Sequence, residues 1–433
     1  MGWTTPLGDE IDAVWERLLR ADSGVGPIDR FDAGAYSTNF AAQTPDPDLE
    51  AILDDSAPHA HAGVNTRFAL AAAARAWRQS GLDKRNGVNR RRIGVYLGSG
   101  EGPPDFDAFA GANLAGWDDE KRAVDMGRWV KAAYELMTAQ RELEQEPNMP
   151  LSHIARAFGA GGPSYNCLTA CAASTQAIGE ASEIIRLGEA DVMIAGGAHT
   201  MIHPLGVTGF IRLTALSSRR DDPQGACRPF SSSRDGFVMG EGAGMLIIES
   251  LAHAKARGAT PLAEIVGFGS SADAFRITDI QPDGEGAQAT MRAALSQAGI
   301  DPLSTDDTGR PPVHYISAHG TGTQENDSIE TRGIRAVFQD NAPKIPVSSI
   351  KSMTGHLIAA AGVVEAITCV QAIRTGFVPP TRNLTQPDPQ CDLDYVPNEA
   401  RDLNSAGGVR VAISNSFGFG GQNNTLVMKR FED

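Results

Sequence analysis

Cysteine is scarce in this chain and basic charge is in deficit, and each shortage narrows what the protein does. The five cysteines, Cys167, Cys171, Cys227, Cys369 and Cys391, are an odd set without C-x2-C spacing, which excludes a zinc ribbon and a fully paired disulfide framework. With no export signal they read as free thiols in a reducing compartment, so a cytoplasmic protein is expected. Lys and Arg number 38 against 53 Asp and Glu, a net charge of -15. Nucleic acid is therefore excluded as a bulk partner, because neutralising phosphates takes clustered positive charge. The opening stretch MGWTTPLGDEIDAVW has no basic region followed by an apolar one, so it is not a secretory leader. The most apolar long stretch, 357–373, carries Glu365 and Gln371 and falls short of the roughly 20 residues that cross a bilayer. It reads as a buried helix, and no membrane insertion is expected. Low-complexity tracts, visible repeats, a P-loop and a G-x-S-x-G elbow are missing too.

What is present is ordinary globular material: 433 residues, 41% hydrophobic, with 47 glycines that tilt it toward tight turns. The length exceeds one ordinary core, so two domains or a duplicated domain are expected. Short β-branched runs at 92–97, 191–195, 245–249, 262–268, 313–318 and 409–414 alternate with helical stretches, which indicates an α/β sheet covered on both faces. Glycine follows many of these runs, and sites in such sheets lie where loops leave the carboxyl ends of strands. Between 103 and 150 the texture turns polar and charge-rich, with apolar residues at three- and four-residue spacing. That predicts an amphipathic helix, either an exposed surface helix or a lid or partner-docking element.

Four constellations could carry chemistry. In YNCLTACAAST (165–175), Cys171 precedes a helical pattern. A helix N-terminus favours a thiolate, so a lowered pKa and a nucleophilic sulfur are expected there, with a buried structural cysteine as the plain alternative; Cys167 takes the plain reading. ISAHGTGT (316–323) runs a strand end into a glycine-rich turn, where the sheet holds His319 with its ring facing a crevice. SSIKSMTGH (348–356) places His356 at the start of the apolar helix, where its pKa is pushed down and the neutral ring donates one hydrogen bond; Lys351 is a nearby cation. NSFGFGGQN (415–423) flanks Phe419 with glycines, which suits an oxyanion donor or a gate. An ordinary turn or cap is the alternative for each of the last three.

Together and in this order, the four segments resemble the elongating β-ketoacyl-(acyl-carrier-protein) synthases, the Cys-His-His branch of the thiolase-fold condensing enzymes. The stretches ADVMIAGG (190–197), PLGVTGF (204–210), RPFSSSRDGFVMGEGAG (228–244) and CDLDYVPNEA (391–400) look like that family too. The resemblance implies a five-layered αβαβα fold of two pseudo-repeated halves, 1–259 carrying the cysteine and 260–433 carrying both histidines. It implies that Cys171 accepts an acyl group, and that His319 and His356 bind a malonyl thioester and stabilise its enolate. The amides of Cys171 and Phe419 would hold the oxyanion, with Gly418 and Gly420 supporting, and Lys351 would tune the site with Glu365 as its ion-pair partner. Thr321 and Thr323 would bind the pantetheine arm, while Phe210, Thr278 and Phe419 would line the acyl cavity. No cofactor is implied beyond the carrier's own phosphopantetheine. The implied partners are an acyl carrier protein and a second copy of the chain, in fatty-acid or related lipid or polyketide synthesis. A polyketide ketosynthase subunit and a non-condensing carrier-binding subunit remain as alternatives.

The sequence also departs from the family's pattern. The family's first strand is missing ahead of Met1-Gly2-Trp3-Thr4-Thr5-Pro6-Leu7-Gly8, which suggests a misassigned start. The segment 103–150 looks longer than its counterpart, and Arg276 stands where a histidine is expected. An acidic carrier requires a local basic patch on so acidic a protein; the candidates are Arg67, Lys121, Arg122, Arg128, Lys131 and Arg212.

Overall fold

Two five-stranded sheets carry the chain, and both are wound in the same order. The computed structural model describes residues 1–84, 88–276 and 280–432. The first sheet uses β1 (Gly2–Thr4), β2 (Ile93–Ser99), β3 (Ser164–Cys167), β4 (Val192–His199) and β5 (Gly242–Glu249). The second uses β6 (Glu264–Ala272), β7 (Tyr315–Ser317), β8 (Val347–Ser348), β9 (Val411–Gly418) and β10 (Gln422–Lys429). The spatial orders are β1-β5-β4-β2-β3 and β6-β10-β9-β7-β8. In each, the second of these strands runs antiparallel to both neighbours and the remaining pairs are parallel. The halves thus share one topology.

Helices fill the layers between and outside the sheets: α1 (Val64–Ser80), α2 (Met149–Phe158), α3 (Ala173–Arg186), α4 (Glu285–Gln297), α5 (Gln324–Phe338) and α6 (Ala361–Thr375). Helices α1 and α2 cover the outer face of the first sheet, α4 covers that of the second with α5 packed beside it, and α3 and α6 lie between the two. This is the five-layered αβαβα thiolase-like arrangement. The local sequences explain the layers. Every residue of β4 and of β9 is buried, as strands covered on both faces require. Helix α6 is buried at every position from Ala361 to Ile373. The stretch 358–375 is apolar and long enough to cross a membrane, yet 89% of it is buried inside the protein, which makes it a core helix. Its regular part starts at Ala361, after a 3-10 turn at Ile358–Ala360, so His356 stands ahead of the helix rather than at its start.

A single helix over 103–150 is a further expectation that the structure corrects. Gly2, Trp3 and Thr4, which the sequence places at the end of the missing strand and just after it, form a short edge strand paired with Met245, Gly244 and Ala243, and Trp3 is fully buried. Polar backbone in a buried sheet needs partners, and these three residues supply them to the buried half of β5, whose last three residues are only half-buried. The segment 103–150 is not one helix. It folds into Phe106–Gly116, a small hairpin of Trp117–Asp118 with Ala123–Val124, Met126–Leu136 and Ala139–Leu143. Several of its large apolar residues are left outside: Leu114 is 77% and Tyr134 89% exposed, and Met126 and Val130 are exposed as well.

Candidate active site

Cys171 and His356 are both presented from turns that open the two central helices. Cys171 lies in a 3-10 turn at Ala170–Ala172 that leads into α3, and His356 precedes the matching turn ahead of α6. Ala170 and Ile358, each three residues before its helix, hold φ of 45° and 49°. Left-handed backbone in residues with a Cβ persists only when the surroundings enforce it. His319 comes from the loop after β7 and is buried.

The three side chains converge. His356 Nε2 is 3.0 Å from Cys171 Sγ, and the two imidazoles face each other at 5.5 Å, edge to face. One ligating atom from each of the three residues lies within 4.8 Å of the others, the one cluster among the described residues with a spacing a metal ion could use. His356 Nδ1 accepts from the Ile358 amide at 3.3 Å, so in the neutral ring the proton is on Nε2, directed at the sulfur. Burial, followed by the Lys351 charge, holds both imidazoles well below their ordinary value. They are neutral donors.

Burial also decides the state of Cys171. The expectation of a lowered thiol pKa is corrected here: complete burial pushes it up to about 11, against the opposing pull of the Lys351 charge and of the amides of Phe419 and Cys171 itself. Desolvating a thiolate costs more than the turn's amides return. The resting group is a thiol, cradled by two amides that can equally hold an oxyanion on a thioester. Alkylation of Cys171 by iodoacetamide is expected to accelerate about tenfold per unit of pH between about 7 and 9, as the thiolate fraction grows. A flat rate over that range would show that the sulfur is already ionised.

Around the triad the polar groups are tied down. Lys351 Nζ donates to the His319 carbonyl at 2.6 Å and ion-pairs with Glu365, and all three residues are buried. Burial pushes the Glu365 carboxyl up to about 7, with Lys351 opposing. Sequence reasoning missed Glu330, whose two oxygens accept from the amides of His319 and Gly320 at 2.8 Å each. It missed Asp327 as well, which accepts from the amides of Phe230 and Gly322 and faces Arg234. Both carboxylates stand on α5, whose sequence QENDSIETRGIRAVF looks solvated although Asp327 and Glu330 are fully buried. The available signal was their position, just after the histidine turn.

A cavity of about 290 Å³ leads from Cys171 and both histidines past Thr321, Thr323 and Phe419 to a mouth at Leu213 and Glu325. Thr321 and Thr323 share a hydrogen bond at 3.0 Å. A second cavity of about 300 Å³, lined by Phe210 and His199 among others, shares the Phe419 wall. Gly418 stands where a Cβ would come 2.9 Å from the Thr169 carbonyl oxygen, and Gly420 has φ of 88°, so neither position of the Phe419 loop readily takes a side chain. Thr278 lies outside the described residues. Arg276, over the Phe275 ring, is exposed and lines neither cavity. Of the basic candidates, Arg212 is exposed and adjoins the mouth at Leu213. Arg67 is paired with Asp46, and Arg128 and Lys121 with Asp118. Arg122 and Lys131 are exposed, and none of these five lines a cavity.

Comparison with known proteins agrees over the whole chain. The family model for the β-ketoacyl synthase N-terminal domain matches residues 1–254, and that for the C-terminal domain matches 262–385. The 3-oxoacyl-[acyl-carrier-protein] synthase 2 of Coxiella burnetii is 40% identical over all of this chain and 98% of its own length. The protein of the same name from Staphylococcus aureus is 41% identical over 100% and 97%. A β-ketoacyl synthase from Burkholderia phymatum superposes with a TM-score of 0.85 at 30% identity, covering 100% of this chain and 98% of that one. A type II polyketide ketosynthase, solved with its acyl-carrier protein and bound to the hexaketide, superposes at 0.82 with 32% identity, covering 99% and 98%.

Proposed function

The chain belongs to the β-ketoacyl synthase family and is an elongating β-ketoacyl-acyl-carrier-protein synthase, an acyltransferase; from that premise we propose that Cys171 is its nucleophile and that His319, His356 and Lys351 complete its machinery. In the first half-reaction Cys171 Sγ attacks the thioester of an acyl carrier and the phosphopantetheine thiol leaves. The amides of Cys171 and Phe419 hold the oxyanion, two fixed donors that need no reorganisation. In the second, the neutral imidazoles of His319 and His356 hydrogen-bond the malonyl thioester oxygen. Carbon dioxide departs, its bonding pair remains as the enolate, and the new carbon–carbon bond forms as Cys171 leaves. The thioester supplies both the leaving group and the carbanion stabilisation, so the chemistry calls for no metal or other cofactor.

The observation that carries this reading is the Nε2–H of His356 at 3.0 Å from a sulfur that also meets two main-chain amides. Thr321 and Thr323 line the path that a pantetheine arm would take, Phe210 and Phe419 bound the acyl cavity, and Arg212 is the basic residue best placed to meet an acidic carrier at the mouth. A boundary between the halves at 259/260 is compatible with a last strand of one sheet that ends at Glu249 and a first strand of the other that starts at Glu264. A second copy of the chain is the partner that suits the exposed Leu114, Met126, Val130 and Tyr134 and the half-open edge of β3, and free thiols suit the reducing cytoplasm. A ketosynthase of a polyketide pathway is the second reading, favoured by the likeness to the hexaketide-bound enzyme; the same residues would serve it.

Intact-mass measurement tests the assignment. Incubation with an acyl carrier is expected to add one acyl group to the wild-type chain and none to Cys171→Ala, and under native conditions the mass is expected to be twice that of one chain. An acyl group retained by Cys171→Ala would overturn the nucleophile.

A further inference from the structure

The cavity behind Phe419 is apolar over much of its wall, with Leu168, Met201, Phe210 and Ile358 lining it. One group contradicts that character. His199, the last residue of β4, lines the cavity, is only 6% exposed, and its Nδ1 is buried without a partner. The ring lies against Gly100, where any Cβ would stand 2.6 Å from Nε2, so the chain leaves room for the imidazole on that side. Among the described residues Nδ1 has no hydrogen-bond partner. Burial, with His203 nearby, holds the ring neutral down to about pH 4, so it offers one donor and one acceptor. Glu101 and Gln422 are the other polar residues on this cavity, and both are exposed.

A buried polar group left unpaired is costly, and a saturated chain filling this cavity would leave His199 unpaired. We propose that His199 is a specificity-determining residue: the cavity takes an acyl chain bearing an oxygen, as a hydroxyl or oxo group, that hydrogen-bonds the imidazole. The inference rests on the acyl-transfer reading above and adds the class of acyl group to it. The loading step itself is unchanged. The Cys171 Sγ–acyl bond forms, the bond to the carrier thiol breaks, and the thiol proton ends on the leaving sulfur.

The test is competitive loading of Cys171, read by intact mass, from N-acetylcysteamine thioesters of octanoate and of its positional hydroxy isomers. For the wild-type chain, at least one hydroxy isomer is expected to load about tenfold faster than octanoate, the discrimination of one buried hydrogen bond. His199→Leu is expected to reverse the preference, and His199→Gln to keep its direction. Octanoate loading as fast as every hydroxy isomer in the wild-type chain would overturn the inference while leaving acyl transfer intact. Failure of every thioester to load would instead remove the acyl-transfer reading, and this inference with it.

Discussion

Replacing Cys171 by alanine is expected to lower condensation by about 10⁴-fold or more, as loss of a nucleophile does, while malonyl decarboxylation continues. The two half-reactions draw on different groups. In the proposed mechanism the acyl bond needs the sulfur, whereas the enolate needs only the His319 and His356 donors, and these are held without it. His319 has its amide fixed by Glu330 and its carbonyl by Lys351; His356 has its amide on the Val238 carbonyl and Nδ1 on the Ile358 amide. Carbon dioxide release from a malonyl carrier, assayed separately from product, checks this, and decarboxylation that vanishes with the sulfur would contradict it. The same variant reports the protonation state. Because burial lowers both imidazole pKa values, protonation moves to more acid pH, and their ring carbon shifts are expected to stay at neutral-imidazole values at about pH 6, where free histidine is largely charged.

The second large effect is on stability. Lys351→Met leaves Glu365 buried without its counter-charge, which costs about 3–5 kcal/mol. Met of similar length fills the space, so the loss is electrostatic. The penalty depends on pH with a definite sign. Glu365 already has its folded-state pKa raised from 4.5 to about 7 by burial, and removing Lys351 takes away the charge that opposes the rise. The folded variant therefore binds more protons than its unfolded form from about pH 4.5 upward through that raised value. Its stability falls as pH rises across the window. Denaturant unfolding at several pH values measures this, and Lys351→Met combined with Glu365→Leu is expected to recover most of the loss, because removing both charges removes the imbalance. A single variant as stable as wild type at about pH 8 would refute the argument.

The convergence of Cys171, His319 and His356 was legible because these residues sit at chemically telling places. Cys171 leads a run of small residues into a helix, His319 ends a strand at a glycine turn, and His356 closes K-S-M-T-G-H. What eluded the sequence depended on burial, which local pattern does not reveal. A helix N-terminus argued for a thiolate at Cys171, yet desolvation dominates in a fully enclosed site. The charge-rich sequence of α5 gives no sign of burial, yet Glu330 and Asp327 are turned inward to hold main-chain amides. In 103–150 the helical spacing was visible, but a pattern does not state whether its apolar side meets a core, and here Leu114 and Tyr134 do not. The duplication is absent as a sequence repeat because strand order repeats while residues do not; chain length and the family resemblance were what pointed to it.

The seam between the two central helices has one more consequence. Ser174 receives the Val363 amide, Thr175 meets Ser416, and Asn424 donates to the Ala172 carbonyl, so the scaffold around the sulfur is stitched from both halves of the polypeptide. Neither half, expressed alone, holds a complete crevice. Turnover is therefore expected to gauge their registration, since slippage between them would disturb the crevice without unfolding either sheet.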